Sequence, residues 1–119
     1  MGPAPGLVWR LRGRAAFAAL MADGRRVRSG PVTVTYLAAP GTEPPRVAFS
    51  VGRAVGPAVV RNRIRRRLRA ITRELAADPA GLPPGSYLIA VRPAAATLDY
   101  VGLRASVERA VRGIPGAAA

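Results

Sequence analysis

Residues 46–75 read RVAFSVGRAVGPAVVRNRIRRRLRAITREL, and this stretch combines a short strand with a long helix. Within the segment 46–52, apolar residues alternate with small or polar ones. Because a strand directs every second side chain to the same face, this alternation predicts a strand with Val47, Phe49 and Val51 on one side. The fold is therefore expected to place a strand of a sheet directly before a helix.

The predicted helix begins at Gly56-Pro57, because proline is favoured in the first helical turn, where its missing N–H has no intrahelical partner. The helical pattern continues to about Ala77 and ends at Asp78-Pro79. On a wheel at about 100° per residue, the apolar side chains form a stripe roughly 80° wide. These anchor residues, which we expect to hold the helix on the sheet, are Val60, Ile64, Leu68, Ile71 and Leu75.

The other sides of this helix carry arginine almost exclusively, with Glu74 as the one acidic residue of the helix proper. Like charges four residues apart destabilise a helix by a few tenths of a kcal/mol per pair, so a solvated face usually mixes signs. A membrane-surface helix needs bulky side chains on a free apolar face, whereas this stripe is largely β-branched and bounded by strands. We therefore favour a polyanion as the partner of this face. One flank carries Arg61, Arg65 and Arg69, the crest carries Asn62, Arg66 and Arg73, and the opposite flank carries Arg63 and Arg67.

The composition supports a folded, nucleic-acid-binding domain. The 119 residues suffice for one domain, 50% of them are hydrophobic, and the net charge is +13 with arginine as the only basic residue type. Such a charge favours nucleic acid as the partner first and an anionic membrane second. Cysteine and histidine are absent from the sequence, which removes the commonest general base and the commonest transition-metal ligands. No stretch approaches the roughly 18 apolar residues of a membrane span, and we expect a soluble, cytoplasmic protein.

The remaining elements complete an α+β order. A helix is predicted at Ala15–Ala22 with Gly24 as its C-terminal cap, strands at 31–38 and 86–92, and a last helix at Thr97–Arg112. The order is helix, strand, strand, helix, strand, helix, and the helical crossover suggests that the second and third strands are parallel. Within these elements we expect Val32, Val34 and Tyr36 to share one strand face, and Leu98, Val101, Ala105 and Val111 to point inward from the last helix.

One domain is expected over residues 7–112, between a flexible lead-in at 1–6 and a flexible tail at 113–119. The six acidic residues lie at predicted helix ends and in loops with no recurring spacing. A two-metal nuclease site needs clustered carboxylates, and this sequence predicts none.

The strand R46-V-A-F-S-V-G-R53, followed by the helical R61-N62-R63-I64-R65-R66 with a further arginine at Arg69, resembles the ribonuclease P protein component of bacteria. Several fixed residues recur there at fixed spacing after the right strand. The resemblance extends over nearly the whole chain, since Phe17 and Gly24 fit the family's first helix and GSYLIAVRPAAATLDY fits its third-strand region.

The resemblance implies a small mixed sheet with three helices, akin to domain 2 of ribosomal protein S5, with a left-handed βαβ crossover. It also implies that the protein binds a large catalytic RNA, which cleaves the 5′ leader from precursor tRNA with magnesium ions held mainly by the RNA. A protein oligomer is not required, and no protein side chain is catalytic. The implied RNA-binding residues are Arg53, Arg61, Asn62, Arg63, Arg65, Arg66, Arg69 and Arg73, and the implied lining of the leader cleft is Phe17, Tyr36 and Arg46.

Alternatives remain at several of these positions. Phe17 is either a stacking platform or the anchor of the first helix, Tyr36 is either a cleft aromatic or an inward strand residue, and Asn62 either contacts RNA or caps a turn. Met21 stands where the family usually has a second aromatic residue, which weakens stacking there. Ala54 stands where a basic residue commonly follows Arg53. A ribosomal protein and a nonspecific packaging protein are the alternatives for the whole chain.

Overall fold

A computed structural model describes residues 7–39, 43–78 and 81–114 of the chain. The lead-in at 1–6, the end of the tail at 115–119 and the helix-ending Pro79 lie outside the described residues. The strands are β1 (Trp9–Arg10), β2 (Arg25–Ser29), β3 (Val32–Ala38), β4 (Arg46–Val51) and β5 (Gly85–Val91), and the helices are α1 (Arg14–Asp23), α2 (Ala58–Ala77) and α3 (Tyr100–Arg112).

The five strands form one mixed sheet in the order β1-β4-β5-β3-β2. The predicted parallel pairing across the α2 crossover is confirmed, because β4 and β5 run parallel with Val47 opposite Tyr87. β1 also pairs in parallel with β4, whereas β3 is antiparallel to both β5 and β2. The α+β class with three helices is therefore confirmed, and the left-handed sense of the crossover stays a prediction.

The two faces of the sheet are covered differently. Helices α2 and α3 pack on the face that carries Val34 and Ile89, and together they enclose the main hydrophobic core. Helix α1 lies on the other face against β3 and β5, where Leu20 and Thr35 are both buried beside Gly24. The cap at Gly24 is confirmed, since its N–H donates to the Leu20 carbonyl.

The apolar stripe of α2 behaves as predicted. Ile64, Leu68, Ile71 and Leu75 expose at most 2% of their surface, and Val60 packs half-buried at the edge of the core. Burying a side chain of this size stabilises the fold by roughly 1.5–3 kcal/mol. The stripe therefore outweighs the like-charge repulsion on the rest of the helix, which amounts to tenths of a kcal/mol per pair.

The order predicted from the sequence omits two strands, β1 and β2. β1 has only two residues, and β2 reads RRVRS, so its three arginines hide the alternation around the half-buried Val27. A tight turn links β2 to β3, and Gly30 at its tip has a φ of +55°, which glycine adopts most readily.

The C-terminal part of the chain also differs from the prediction. α3 begins at Tyr100 rather than Thr97, because Asp99 caps it by accepting a hydrogen bond from the Gly102 N–H at 2.7 Å. Val101 is 74% exposed, so its predicted inward position is wrong; Leu103 and Val107 from the same helix enter the core instead. Ile114 is buried as well, which places 113 and 114 in the domain rather than in the tail. Within the described residues, no helix is long and apolar enough to span a membrane.

Candidate nucleic-acid interface

A groove of about 430 Å³ crosses the β1–β4 edge of the sheet, between the arginine flank of α2 and the start of α1. It exists because β1 pairs with β4 only as far as Val47, which leaves the outer edge of β4 beyond that point without a strand neighbour among the described residues. We call it the edge groove. Its lining consists of Val8, Trp9, Arg10, Leu11, Phe17, Val47, Ala48, Phe49, Arg65, Arg69, Thr72 and Arg73.

A second concavity, of about 560 Å³, lies on α2 itself and shares Arg65 and Arg69 with the edge groove. Val59, Asn62 and Arg66 complete its lining, and all three side chains are exposed. The two concavities therefore form one continuous arginine-lined surface from the crest of α2 to the sheet edge.

Local hydrogen bonds orient the arginines at the start of α2. Arg65 donates from Nη2 to the Val51 carbonyl and from Nη1 to Asn62 Oδ1, both at 3.3 Å. Arg61 donates from Nε to the Gly56 carbonyl at 3.1 Å, which ties it to the turn before the helix. The Asn62 amide oxygen therefore helps to orient the Arg65 guanidinium.

The carboxylates of Glu74 and Glu108 are engaged by arginines of α3 rather than by the arginines of this surface. Glu74 of α2 accepts hydrogen bonds from Tyr100 and from Arg104 of α3, and these two bonds lower the pKa of its carboxyl below the ordinary glutamate value. Glu108 pairs with Arg104 and Arg112 at 3.2 and 3.0 Å. Across the described ranges, none of the arginines between 61 and 73 forms an ion pair with a carboxylate. Their charge is therefore available to an external anion.

The structure brings together only part of the predicted site. Phe17 is half-buried and lines the edge groove with Arg65, Arg69 and Arg73. Arg53 is exposed on the short 3-10 turn between β4 and α2, and Arg63 is exposed on α2, but neither lines the two concavities.

The placement of Tyr36 in a cleft is corrected by the structure. Tyr36 is 7% exposed and lies on the face of the sheet that α2 and α3 cover. Its ring centroid lies 4.8 Å from that of Tyr87, and its hydroxyl donates to the Pro84 carbonyl at 2.7 Å. Burial raises the pKa of Tyr36 above the ordinary tyrosine value. Because the strand alternation directs it into the core, the ring has no surface on which a base can stack.

Arg46 also lies outside the edge groove, although it touches a residue that lines it. Its guanidinium carbon is 5.5 Å from the centroid of the Trp9 ring, and it forms an ion pair with Glu43. Trp9 is 43% exposed and was not among the predicted site residues. The signal that could have found it is a lone tryptophan beside arginine in the short segment VWRLR, too brief to be recognised as a strand.

The acidic residues do not form a metal site. Among residues 7–39, 43–78 and 81–114, no group of three carboxylates is close enough to hold a metal ion. The donor set therefore does not fit a magnesium ion bound by the protein alone, and the geometry suits the binding of an anionic polymer.

Comparisons with known proteins identify the family and the fold of the chain. The sequence model of the family Ribonuclease P matches residues 8–114. A relative from Thermobifida fusca named Ribonuclease P protein component is 41% identical over 113 residues, covering 88% of this chain and 75% of the relative. Another of that name from Acidothermus cellulolyticus is 43% identical over 105 residues, covering 85% and 83%. The solved RNase P protein from Thermotoga maritima superposes with a TM-score of 0.76 at 23% identity, covering 90% of this chain and 98% of that one.

Proposed function

The chain belongs to the ribonuclease P protein family, and from that premise we propose that it is the protein subunit that assists an RNA catalyst in removing the 5′ leader of precursor tRNA. In this role α2 binds the catalytic RNA, and the edge groove receives the single-stranded leader. The single observation that carries the proposal is the continuous arginine surface of α2, whose one carboxylate, Glu74, pairs with Arg104 of α3.

Arginine suits this surface because its planar guanidinium donates to phosphate in a bidentate manner. Each phosphate that the protein neutralises releases counterions, so affinity depends steeply on salt. Arg65 is already held by Val51 and Asn62, so less of its conformational freedom is lost when a phosphate binds.

The edge groove has the mixture of groups that single-stranded RNA requires. Phe17 offers an aromatic surface for base stacking, and the arginines along α2 can follow the sugar–phosphate backbone. Such stacking tolerates any base, which fits leaders of differing sequence. The outer edge of β4 is open, so the shape of the groove excludes a wide duplex less effectively than a cleft would. We assign the groove to an unpaired strand because its aromatic lining can stack on bases.

The protein contributes binding and positioning, and the RNA with its magnesium ions contributes the chemistry. The support for this division is the lack of histidine and cysteine in the sequence and the dispersal of four of its six carboxylates into separate ion pairs with arginine. Neutralising phosphate repulsion allows the two RNAs to associate at lower magnesium concentrations. We place the complex in the cytoplasm, where tRNA is processed.

The test is reconstitution with a ribonuclease P RNA and precursor tRNAs that carry long or very short leaders. We expect the protein to accelerate cleavage at low magnesium and to favour the long-leader substrate. A ribosomal protein or a packaging protein would show no preference for leader length. Equal effects on both substrates would therefore contradict the assignment.

A further inference from the structure

Trp9 is the only tryptophan in the chain, and it lies at the mouth of the edge groove. It belongs to β1, at the sheet edge, and its ring is on the face opposite to Val47, since its strand partner is Arg46. Its exposed fraction of 43% is large for a residue of this size in a folded domain. Together with the arginines of the groove, this exposed ring offers a surface on which an unpaired base can stack.

The backbone holds Trp9 in a defined position. The Trp9 N–H donates to the Pro45 carbonyl at 2.8 Å, and two residues later the Leu11 N–H donates to the Val47 carbonyl at 3.1 Å. The guanidinium of Arg46 lies over the indole, which restrains the ring. Because the ring is already restrained, a partner that stacks on it loses little binding free energy to the ordering of the Trp9 side chain.

An anchoring role for Trp9 is less consistent with the structure. Leu11, from the same segment, is only 4% exposed and supplies the buried contact that fastens the chain to the sheet. Trp9 is not a member of the main core, and much of its surface remains in water. Its size and exposure are thus left unexplained by packing.

We propose that Trp9, backed by Arg46, is a stacking position for one unpaired nucleobase of an RNA strand that runs along the edge groove toward Phe17. Arg10 and Arg73, which line the same groove, supply charge for the flanking phosphates. The inference rests on the proposed function and adds a second aromatic contact to it. The unpaired nucleotide belongs either to the precursor leader or to a single-stranded segment of the catalytic RNA, and the experiment separates these sources.

The experiment uses the intrinsic fluorescence of Trp9 in the reconstituted complex, excited where RNA does not absorb. We expect the emission to be quenched when long-leader precursor tRNA is added to the protein–RNA complex, and to change little with leaderless tRNA. Quenching on addition of the catalytic RNA alone would also support stacking and would assign the nucleotide to that RNA. An emission unchanged by both RNAs would overturn the inference.

Affinity measurements on variants provide the second readout. Trp9→Ala should weaken binding of the RNA that quenches the emission by roughly 5- to 150-fold, the range for loss of one base stack. Trp9→Phe should restore most of that loss, and Val101→Ala, an exposed site on α3, should change nothing. If Trp9→Ala binds both RNAs as wild type does while leader cleavage is normal, the inference fails and the proposed function stands. Loss of leader-dependent cleavage by the wild-type protein would instead overturn the proposed function.

Discussion

Asn62 accepts a hydrogen bond from Arg65 one turn further along α2, with 3.3 Å between Oδ1 and Nη1. The second terminal nitrogen of Arg65 donates to the Val51 carbonyl at the end of β4. The guanidinium is therefore held between the helix crest and the sheet edge, at the place where the two arginine-lined concavities meet. In the proposed function, Asn62 would therefore contribute to RNA binding through its neighbour Arg65.

We expect Asn62→Ala and Arg65→Ala to have coupled effects on affinity for the catalytic RNA. Because the amide orients the guanidinium, removing either side chain should remove part of the same contribution to binding. The double variant should therefore lose less binding free energy than the sum of the losses in the two single variants. A coupling of about 0.5–1 kcal/mol in a double-mutant cycle is expected for such a pair. Additive effects would show that Asn62 acts on RNA independently of Arg65.

Replacing both Arg65 and Arg69 by alanine should flatten the salt dependence of RNA binding. Each phosphate contact that is lost should reduce the slope of log affinity against log salt by roughly 0.7–0.9. The measurement is a set of binding titrations over a range of salt concentrations. As a control, the double variant with Arg25→Ala and Arg26→Ala removes the same two positive charges from β2, at the opposite edge of the sheet, and should alter the slope less. A slope that is unchanged in the double variant would contradict the assignment of α2.

Phe17→Ala should weaken binding of long-leader precursor tRNA with little effect on affinity for the catalytic RNA. The expected loss is about 1–3 kcal/mol, because one base loses its stacking partner. Crosslinking of the leader to this position should disappear at the same time. Leu20→Ala is the matched control in α1: its side chain is fully buried, so it should lower the free energy of unfolding by about 2–5 kcal/mol without a specific effect on the leader. If Phe17→Ala changes thermal stability alone, Phe17 is only a helix anchor.

Glu74→Gln should reduce stability near neutral pH and have less effect in acid. Hydrogen bonds from Tyr100 and Arg104 lower the pKa of the Glu74 carboxyl in the folded state. A lowered pKa stabilises the fold above the unfolded-state pKa, and this contribution is lost as the pH falls through the folded-state value. Urea unfolding of both proteins across the acidic range measures the difference. Tyr100→Phe, which removes one donor and keeps the carboxyl, should produce part of the same change, whereas a pH-independent difference would contradict the linkage.

The sequence was most informative where one periodic pattern determined both the packing and the exposed surface. The stripe from Val60 to Leu75 predicted which side of α2 meets the sheet, and hence which arginines face outward. In β3, the alternation of side chains along the strand predicted that Tyr36 lies on the same face as Val34, and both are buried in the structure. The family resemblance suggested a cleft role for Tyr36, but strand geometry decided its position.

Features that depend on contacts distant in sequence were not accessible in the same way. The edge groove forms because β1, only two residues long, stops pairing with β4 at Val47, and no local pattern signals that limit. The pairing of β1 with β4 also places Trp9 in the lining of the edge groove. The ion pair between Glu74 and Arg104 joins residues 30 positions apart, so the diversion of acidic groups from the arginine surface appears only in three dimensions.

The magnesium dependence of leader cleavage shows whether the arginine surface of α2 assists an RNA catalyst. We expect the wild-type protein to lower the magnesium concentration at which a ribonuclease P RNA cleaves precursor tRNA at half its maximal rate. The variant with Arg65→Ala and Arg69→Ala should remain folded and lose most of this effect. A magnesium requirement that is the same with and without the wild-type protein would contradict the account.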